Sequence, residues 1–325
     1  MRIFIELPTW LGDCVMATPA IENIIKVYPN ATITLFGTYV STALFEKHPQ
    51  IQKRIIDESK ASTLRGIWLL RMAQSLPRFD VAISFRSSWY SKLLLFFLKA
   101  RKKAYYIKVK QIERHQVLRY NDFINTLLER KMSAEDLKIY FHPEQYKKPT
   151  LGINPGASYG SAKRWYPEKF ADVAIALSSK YDIVLFGGLS ELDMAQDIED
   201  ILKKYNVKNY VNLAGKTSIK MLCEKIGGLD MFITGDSGPM HVAAAFKVST
   251  VALFGPTKEN ETSAWHHPKS MIVKHPIACA PCMQRTCPLK HHECMKLIAS
   301  KDVLRAVEVL NGTFNDKRYD NENTI

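Results

Sequence analysis

The chain has 325 residues, 45 Lys and Arg against 32 Asp and Glu, and a formal net charge of +13, enough length for two domains that each bury a core. No stretch approaches the roughly 18–20 apolar residues of a membrane-spanning helix, since the longest run, residues 93–98, ends at Lys99. The opening MRIFIELPTW reads as a strand rather than a secretory signal, which points to a cytosolic protein.

Charge is unevenly spread: residues 1–150 hold 24 Lys and Arg against 13 Asp and Glu (+11), leaving 21 against 19 (+2) for the rest. A basic half attracts nucleic acid, anionic lipid or an acidic small substrate, and charge alone does not choose among these or a solvated lysine surface.

Short β-rich runs alternate with helical segments throughout, the mark of βαβ units and parallel sheets. Residues 2–7 form a strand, 14–28 a helix, 31–36 and 81–85 further strands. PTWLGDCVMATPAI follows the first strand and puts Asp13 at a helix entrance. Asp13 is there either an N-cap, worth about 1 kcal/mol, or a general base with access to an incoming hydroxyl. The run LKARKKAYYIKVK, residues 98–110, is the one basic stretch with interleaved aromatics of the kind a nucleic-acid binder uses.

The proline-bounded, aperiodic PEQYKKP, residues 143–149, marks a linker. The expected domains are 1–148 and 149–310, followed by a polar tail, 311–325. Its Asn-Gly-Thr matches a glycosylation pattern that a cytosolic chain leaves unused. In the second half, strands are expected at 150–154, 183–187, 210–213, 231–234 and 250–254, and helices at 167–179, 191–204, 219–226 and from 239. The fold class is α/β, two Rossmann-like domains with parallel sheets facing a central cleft. Ligands of doubly wound sheets lie beyond the carboxyl ends of strands, so the residues after each strand are the candidates.

NPGASYGSAKRWYPEKF follows the strand at 150–154. Gly156, Ser158, Gly160 and Ser161 supply small hydrogen-bonding turn residues, and Lys163 and Arg164 precede the helix-initiating Pro167. This is either a phosphate clamp, with Lys163 as a point charge on a diphosphate, or a surface loop with solvated cations. The P-loop spacing and the GxGxxG fingerprint are both missing, which argues against NAD. In GGLSEL, Glu191 is either a dipole partner at a helix start or an acceptor for ribose hydroxyls.

DMFITGDSGPMHVAAAF, residues 230–246, runs a strand into a Gly-Asp-Ser-Gly-Pro turn and an alanine-rich helix. A helix N-terminus offers unpaired amides and roughly half a positive charge, a ready anion site. Ser237 and the Gly238 amide suit phosphate oxygens, whereas Asp236 suits sugar hydroxyls or the Lys163 ammonium. His241 either supports the diphosphate or is a satisfied core histidine. The GDSGP match to chymotrypsin-like proteases fails on context, because those chains are all-β.

CAPCMQRTCPLKHHEC, residues 279–294, carries Cys279, Cys282, Cys287 and Cys294 with two histidines. Its one CxxC pair fits a structural zinc group, and reduced cysteines in a packed loop, redox chemistry or a partner surface remain open. Cys14 and Cys223 lie in apolar helices and belong to the core.

Taken in order, PTWLGDCVMATPAI, NPGASYGSAKRWYPEKF, FGGLSE, NLAGKTS and FITGDSGPMHVAAAFKVSTVALFGPT resemble segments of the bacterial ADP-heptose:lipopolysaccharide heptosyltransferases, glycosyltransferase family 9 with the GT-B fold, over nearly the whole length. Within it, the cysteine segment and ERHQVLRY are similar to the heptosyltransferase II group, with heptosyltransferase I, which adds the first heptose to Kdo-lipid A, as the alternative. The resemblance implies inverting, metal-independent transfer of L-glycero-D-manno-heptose from ADP-heptose to the lipopolysaccharide inner core, with no cofactor. It makes Asp13 the catalytic base, Lys163 the diphosphate lysine, and Asp236, Ser237, Gly238 and His241 the donor turn; Ser158 and Ser161 of the lysine-bearing turn and Glu191 are further donor-side candidates. Acceptor candidates are Arg86, Ser87, Ser88, Arg114, His115, Arg119 and Tyr120 in the basic half, facing an anionic Kdo- and heptose-bearing lipid. Residues 93–103 then either touch the inner membrane surface transiently or form a buried helix with a basic end, and the resemblance also implies a cytoplasmic location and no nucleic-acid partner. A nucleotide-sugar epimerase and a nucleic-acid binder are the other classes.

Overall fold

A computed structural model of the chain describes residues 1–108, 113–157 and 159–313, in two compact units, Met1–Phe141 and His142–Ile325. The first runs β1 (Arg2–Glu6), α1 (Leu11–Val27), β2 (Thr32–Gly37), α2 (Tyr39–Ala43), β3 (Ile51–Ile56), α3 (Arg65–Ser75), β4 (Phe79–Ser84), α4 (Trp89–Phe97), β5 (Ala100–Tyr105) and α5 (Gln116–Leu128). All five strands are parallel in the order β3-β2-β1-β4-β5, so the chain reverses direction across the sheet between β1 and β4. Beyond Arg2, β1 is buried throughout, as a strand covered on both faces must be.

The edge strands differ. β3 (IQKRII) and β5 (ARKKAY) are mostly exposed and cationic, which blunts their unpaired backbone against association. The basic run after residue 98 is therefore a sheet edge and not the basic end of a helix. Leu98 turns extended and closes α4, and Lys102 and Lys103 reach back to the carbonyls of Leu127 and Phe96 at 2.8 and 3.1 Å.

Helix α1 passes through Pro19, which has no N–H to give the Val15 carbonyl. The Thr18 hydroxyl takes that place, donating to Val15 O at 2.7 Å, and accepts the Lys138 amide at 3.0 Å. The helix is thereby tied to the segment after α5.

The second unit runs β6 (Thr150–Asn154), α6 (Pro167–Leu177), β7 (Asp182–Leu185), α7 (Leu192–Lys204), β8 (Tyr210–Asn212), α8 (Ile219–Gly227), β9 (Met231–Gly235), α9 (Gly238–Ala245), β10 (Ser249–Phe254), α10 (Glu259–Thr262), β11 (Ser270–Lys274), α11 (Glu293–Lys296) and α12 (Ser300–Leu310). Its six parallel strands are ordered β11-β10-β9-β6-β7-β8, the full doubly wound order, with its switch point between β6 and β9. Leu151, Ile153, Ile233 and Leu253 of the central strands pack with Phe170 of α6 and Val303 of α12.

The segment 143–149 is bound to this unit: the Glu144 amide donates to Glu224 O at 2.8 Å and the Tyr146 hydroxyl to Lys225 O at 3.2 Å. Residues 314–325 of the polar tail lie outside the described residues. Among the described residues no helix is long and apolar enough to cross a membrane.

Candidate active site

The second unit places its polar cluster where doubly wound sheets hold ligands, after the neighbouring strands β6 and β9. Asn154 ends β6 and Thr234 stands beside it on β9, and the Asn154 amide donates to the Thr234 hydroxyl and to Gly156 O, both at 3.3 Å. The Thr234 and Ser237 hydroxyls are 3.0 Å apart. Ser237 takes the N-cap position of α9 without a side-chain capping bond, with Gly238 and Pro239 opening the helix. The first-turn amides thus keep the anion-binding character that a helix start confers. His241 follows in α9 and is buried at 2% exposure.

Lys163 closes the 3-10 turn Ser161–Lys163, whose first residue, Ser161, is exposed. Its ammonium lies 2.5 Å from Asp236 Oδ2 and 3.2 Å from Asp236 O. Thr257 donates to the same Oδ2 at 2.7 Å. The lysine is thus one of the two partners expected for Asp236. The Tyr159 ring lies 4.7 Å from the ammonium. Arg164 is turned the other way, reaching Ser190 O at 3.4 Å, and Ser158 lies outside the described residues.

Ahead of α7, Glu191 Oε2 accepts the Gly188 amide at 2.6 Å, and the residue is buried at 5% exposure. A Cβ on Gly156 would stand 2.1 Å from its Cδ, and a Cβ on Gly160 would stand 2.2 Å from Arg285 O. These two glycines let the loop after β6 lie against its neighbours.

In the first unit Asp13 is the third residue of α1. Trp10, not Asp13, holds the N-cap position, so the aspartate is a first-turn residue half-exposed beyond the end of β1. The Tyr120 hydroxyl of α5 donates to Asp13 Oδ1 at 3.3 Å. Burial, and then the Asp13 charge, hold the Tyr120 phenol well above its ordinary pKa, so it stays a donor. Asn23 and Asn121 bond at 2.8 Å and fix α1 against α5.

The other acceptor candidates divide by what already occupies them. Arg86 is drawn inward: Nε donates to Leu7 O at 2.6 Å, and Nη1 lies 3.3 Å from Glu6 and 3.6 Å from Asp57. Glu6 is buried and also accepts from Ser84 at 2.5 Å and Ser91 at 3.1 Å. Burial pushes its carboxyl pKa upward against the pull of Arg86. Arg114 pairs with Asp122 at 2.7 Å. Ser88 caps α4 and His115 caps α5 through its Nδ1. Ser87 is exposed and Arg119 is buried. Asp13 and Tyr120 are the pair that the fold unites; the cluster of Glu6 and Asp57 around Arg86 went unseen in the sequence, as did Thr257 and Tyr159. Thr257 had a signal in its GPT turn after β10.

The four loop cysteines and His291 line one small cavity of about 20 Å³. Among the described residues, no three His, Cys, Asp or Glu side chains are arranged to hold a metal ion. None of the six cysteines is in a disulfide among the described residues, and Cys14 and Cys223 are buried as expected. Burial drives the Cys223 thiol up to about 12.

Comparison with known proteins gives this geometry a family. The profile of glycosyltransferase family 9 (heptosyltransferase) matches residues 109–293. Lipooligosaccharide heptosyltransferase 2 of Campylobacter jejuni is 45% identical over 318 residues, 95% of this chain and 98% of that protein. A glycosyl transferase family 9 structure from Veillonella parvula superposes with a TM-score of 0.80 at 21% identity, covering 95% of this chain and 96% of that one. The Escherichia coli ADP-heptose lps heptosyltransferase II structure gives 0.78 at 23% identity, covering 95% and 98%. Those two likenesses show a shared fold, the GT-B fold of these enzymes. With the profile spanning more than half of its length and a curated relative 45% identical along nearly all of it, the chain belongs to glycosyltransferase family 9, the heptosyltransferases.

Proposed function

We propose that the chain transfers L-glycero-D-manno-heptose from ADP-heptose to a lipid-linked inner-core acceptor that already bears one heptose. The near-full-length likeness to the Campylobacter heptosyltransferase 2 carries this reading. The Escherichia coli enzyme that shares the fold is an ADP-heptose heptosyltransferase, which supports ADP-heptose as donor. The lysine-bearing turn after β6 and the helix start after β9 are chemically suited to a diphosphate.

In this reading Asp13 takes the proton of the acceptor hydroxyl as that oxygen attacks the anomeric carbon. The bond from that carbon to the diphosphate breaks on the opposite face, ADP departs, and the centre inverts in one displacement. Negative charge grows on the leaving diphosphate, so Lys163 and the α9 amides act most strongly in the transition state, where stabilisation raises turnover. Those groups supply the positive charge, and the proposed chemistry needs no added metal or cofactor. Asp236 holds the lysine in place, and Ser161, Ser237 and His241 complete the donor side.

The acceptor belongs to the basic first unit, with Ser87, His115, Arg119 and Tyr120 near Asp13's end of the fold and Arg86 as an internal strut. Helix α4 exposes Trp89 (67%) and Phe96 (75%) beside Lys92 and Lys99, the aromatic and cationic chemistry of a membrane interface. This suits an enzyme working at the cytoplasmic face of the inner membrane. Transfer assays with acceptors bearing zero or one heptose test the proposal: product only from the one-heptose acceptor is expected. Product only from the zero-heptose acceptor assigns the first transfer instead, and conversion of the ADP sugar without acceptor overturns transfer altogether.

A further inference from the structure

We propose that the loop 279–294 binds one thiophilic divalent cation, zinc or ferrous iron, through the sulfurs of Cys279, Cys282, Cys287 and Cys294, and that this ion fixes the turn carrying Lys163. All four thiols line a single cavity of about 20 Å³, room for one atom-sized occupant, since a water needs about 10–15 Å³. Residues 275–292 hold no helix or strand, a long irregular stretch that needs some other staple inside a compact unit.

The histidines select the ligand set. His292 has both ring nitrogens engaged, Nε2 at 2.9 Å from Ala162 O and Nδ1 at 3.2 Å from the Tyr166 hydroxyl. His291 accepts the Glu293 amide on Nδ1 at 3.0 Å and turns Nε2 toward Cys279 Sγ at 3.8 Å. That is the place of an outer donor to a metal-bound sulfur. Four sulfurs remain, and an all-sulfur tetrahedral set selects zinc or iron.

Uptake converts four thiols and one divalent ion to a tetrathiolate of net charge −2 and releases four protons, with no change of oxidation state. Among the described residues the four sulfurs do not form a finished ligand set, and metal–sulfur distances of about 2.3 Å require the loop to contract on binding.

The same loop braces the turn before α6. The Ala162 amide donates to Arg285 O at 3.0 Å, the Tyr159 hydroxyl donates to Met283 O at 2.8 Å, and the Arg285 guanidinium lies 5.3 Å from the Tyr159 ring. An ordered loop therefore means an ordered Lys163. This second half of the proposal rests on reading Lys163 as a donor-site residue, whereas metal uptake does not.

The test uses the full chain, purified under reducing conditions, assayed for zinc and iron, stripped with chelator and titrated anaerobically with cobalt(II). One cobalt per chain is expected, with the thiolate charge-transfer and tetrahedral d–d bands, displaced by zinc and lost in Cys282→Ser and Cys287→Ser. Absent uptake, or bands unchanged in both variants, overturns the site. Should the variants fail to fold, thiol-reagent kinetics on the native chain decide: shielding of the loop thiols by zinc supports the site, and equal reactivity with and without zinc overturns it. Stripping is expected to weaken ADP binding at least tenfold; unchanged ADP affinity beside a full cobalt spectrum overturns the brace. A chain that shows the cobalt bands and transfers no heptose refutes the proposed function and leaves the cation site standing.

Discussion

Lys163 and Asp236 lie 73 residues apart in sequence and 2.5 Å apart in space, with both side chains largely buried. A buried pair of this kind is costly to break from one side, because the remaining charge stays desolvated. Here the lysine is also shared with the Asp236 carbonyl and the carboxylate with Thr257. The ammonium is thus held ready, and a diphosphate would meet a cation whose geometry is already set.

Lys163→Met is expected to lower kcat about 10²- to 10³-fold, the usual loss when one transition-state charge donor is removed. Asp236→Asn should cost less and act chiefly through a misplaced lysine. The double variant should fall short of the product of the two single losses, a coupling of about 0.5–3 kcal/mol. Steady-state kinetics of all four proteins read this directly, and full additivity would separate the two residues functionally.

The Asp13 and Tyr120 pair gives a different signature. Asp13→Ala should lower transfer about 10²- to 10⁴-fold, the range for a general base, while ADP affinity by calorimetry stays nearly unchanged. Weak ADP binding with intact turnover would remove the base assignment. Tyr120→Phe deletes one hydrogen bond to Asp13, so about a tenfold or smaller drop in kcat is expected. In the Asp13→Ala background it should have no further effect, because its action runs through the carboxylate.

The sequence carried the central architecture because central parallel strands are plain apolar runs and their following turns are rich in Gly, Pro and Ser. The turns holding Lys163 and Asp236 are legible for that reason. The edge strands β3 and β5 were not, since IQKRII and ARKKAY lack the apolar pattern when one side has no neighbour. Partnerships across distance were also hidden. Tyr120 reads locally as an acceptor contact until α5 brings it to Asp13, and so does Arg86 until Glu6 and Asp57 surround it. A buried acid inside a strand, such as Glu6, gives no local sign of its partner.

Thr18 repairs the helix at Pro19, and its loss is a stability prediction independent of chemistry. Thr18→Val keeps shape but leaves Val15 O without its hydroxyl donor and the Lys138 amide without its acceptor. A destabilisation of about 1–3 kcal/mol is expected for leaving such groups unsatisfied, with Thr18→Ser recovering most of it. Urea unfolding should show a lower midpoint at unchanged slope; a midpoint within error of the parent would show that water fills both places without cost.

Glu22 supplies an acid-dependent strut between α1, the residues before β3 and the end of the first unit. Its Oε1 lies 3.0 Å from His48 Nε2 and accepts from the Tyr140 hydroxyl at 2.9 Å, and Lys138 stands 3.5 Å from Oε2. The Gln50 amide donates to His48 Nδ1 at 3.2 Å, so Nε2 carries the proton given to Glu22. Burial alone would raise the Glu22 pKa, but the His48 and Tyr140 hydrogen bonds and the Lys138 charge outweigh it, and the carboxyl lies below its ordinary value of 4.5. A depressed folded pKa stabilises the fold above the unfolded value, and that contribution is lost as pH falls through the folded one. The parent chain should therefore lose stability below pH 4.5 more steeply than Glu22→Gln, and the gap between them should narrow with acid. Denaturant midpoints of both proteins from pH 7 to pH 3 check this, and parallel curves would show that Glu22 titrates alike in the folded and unfolded chains.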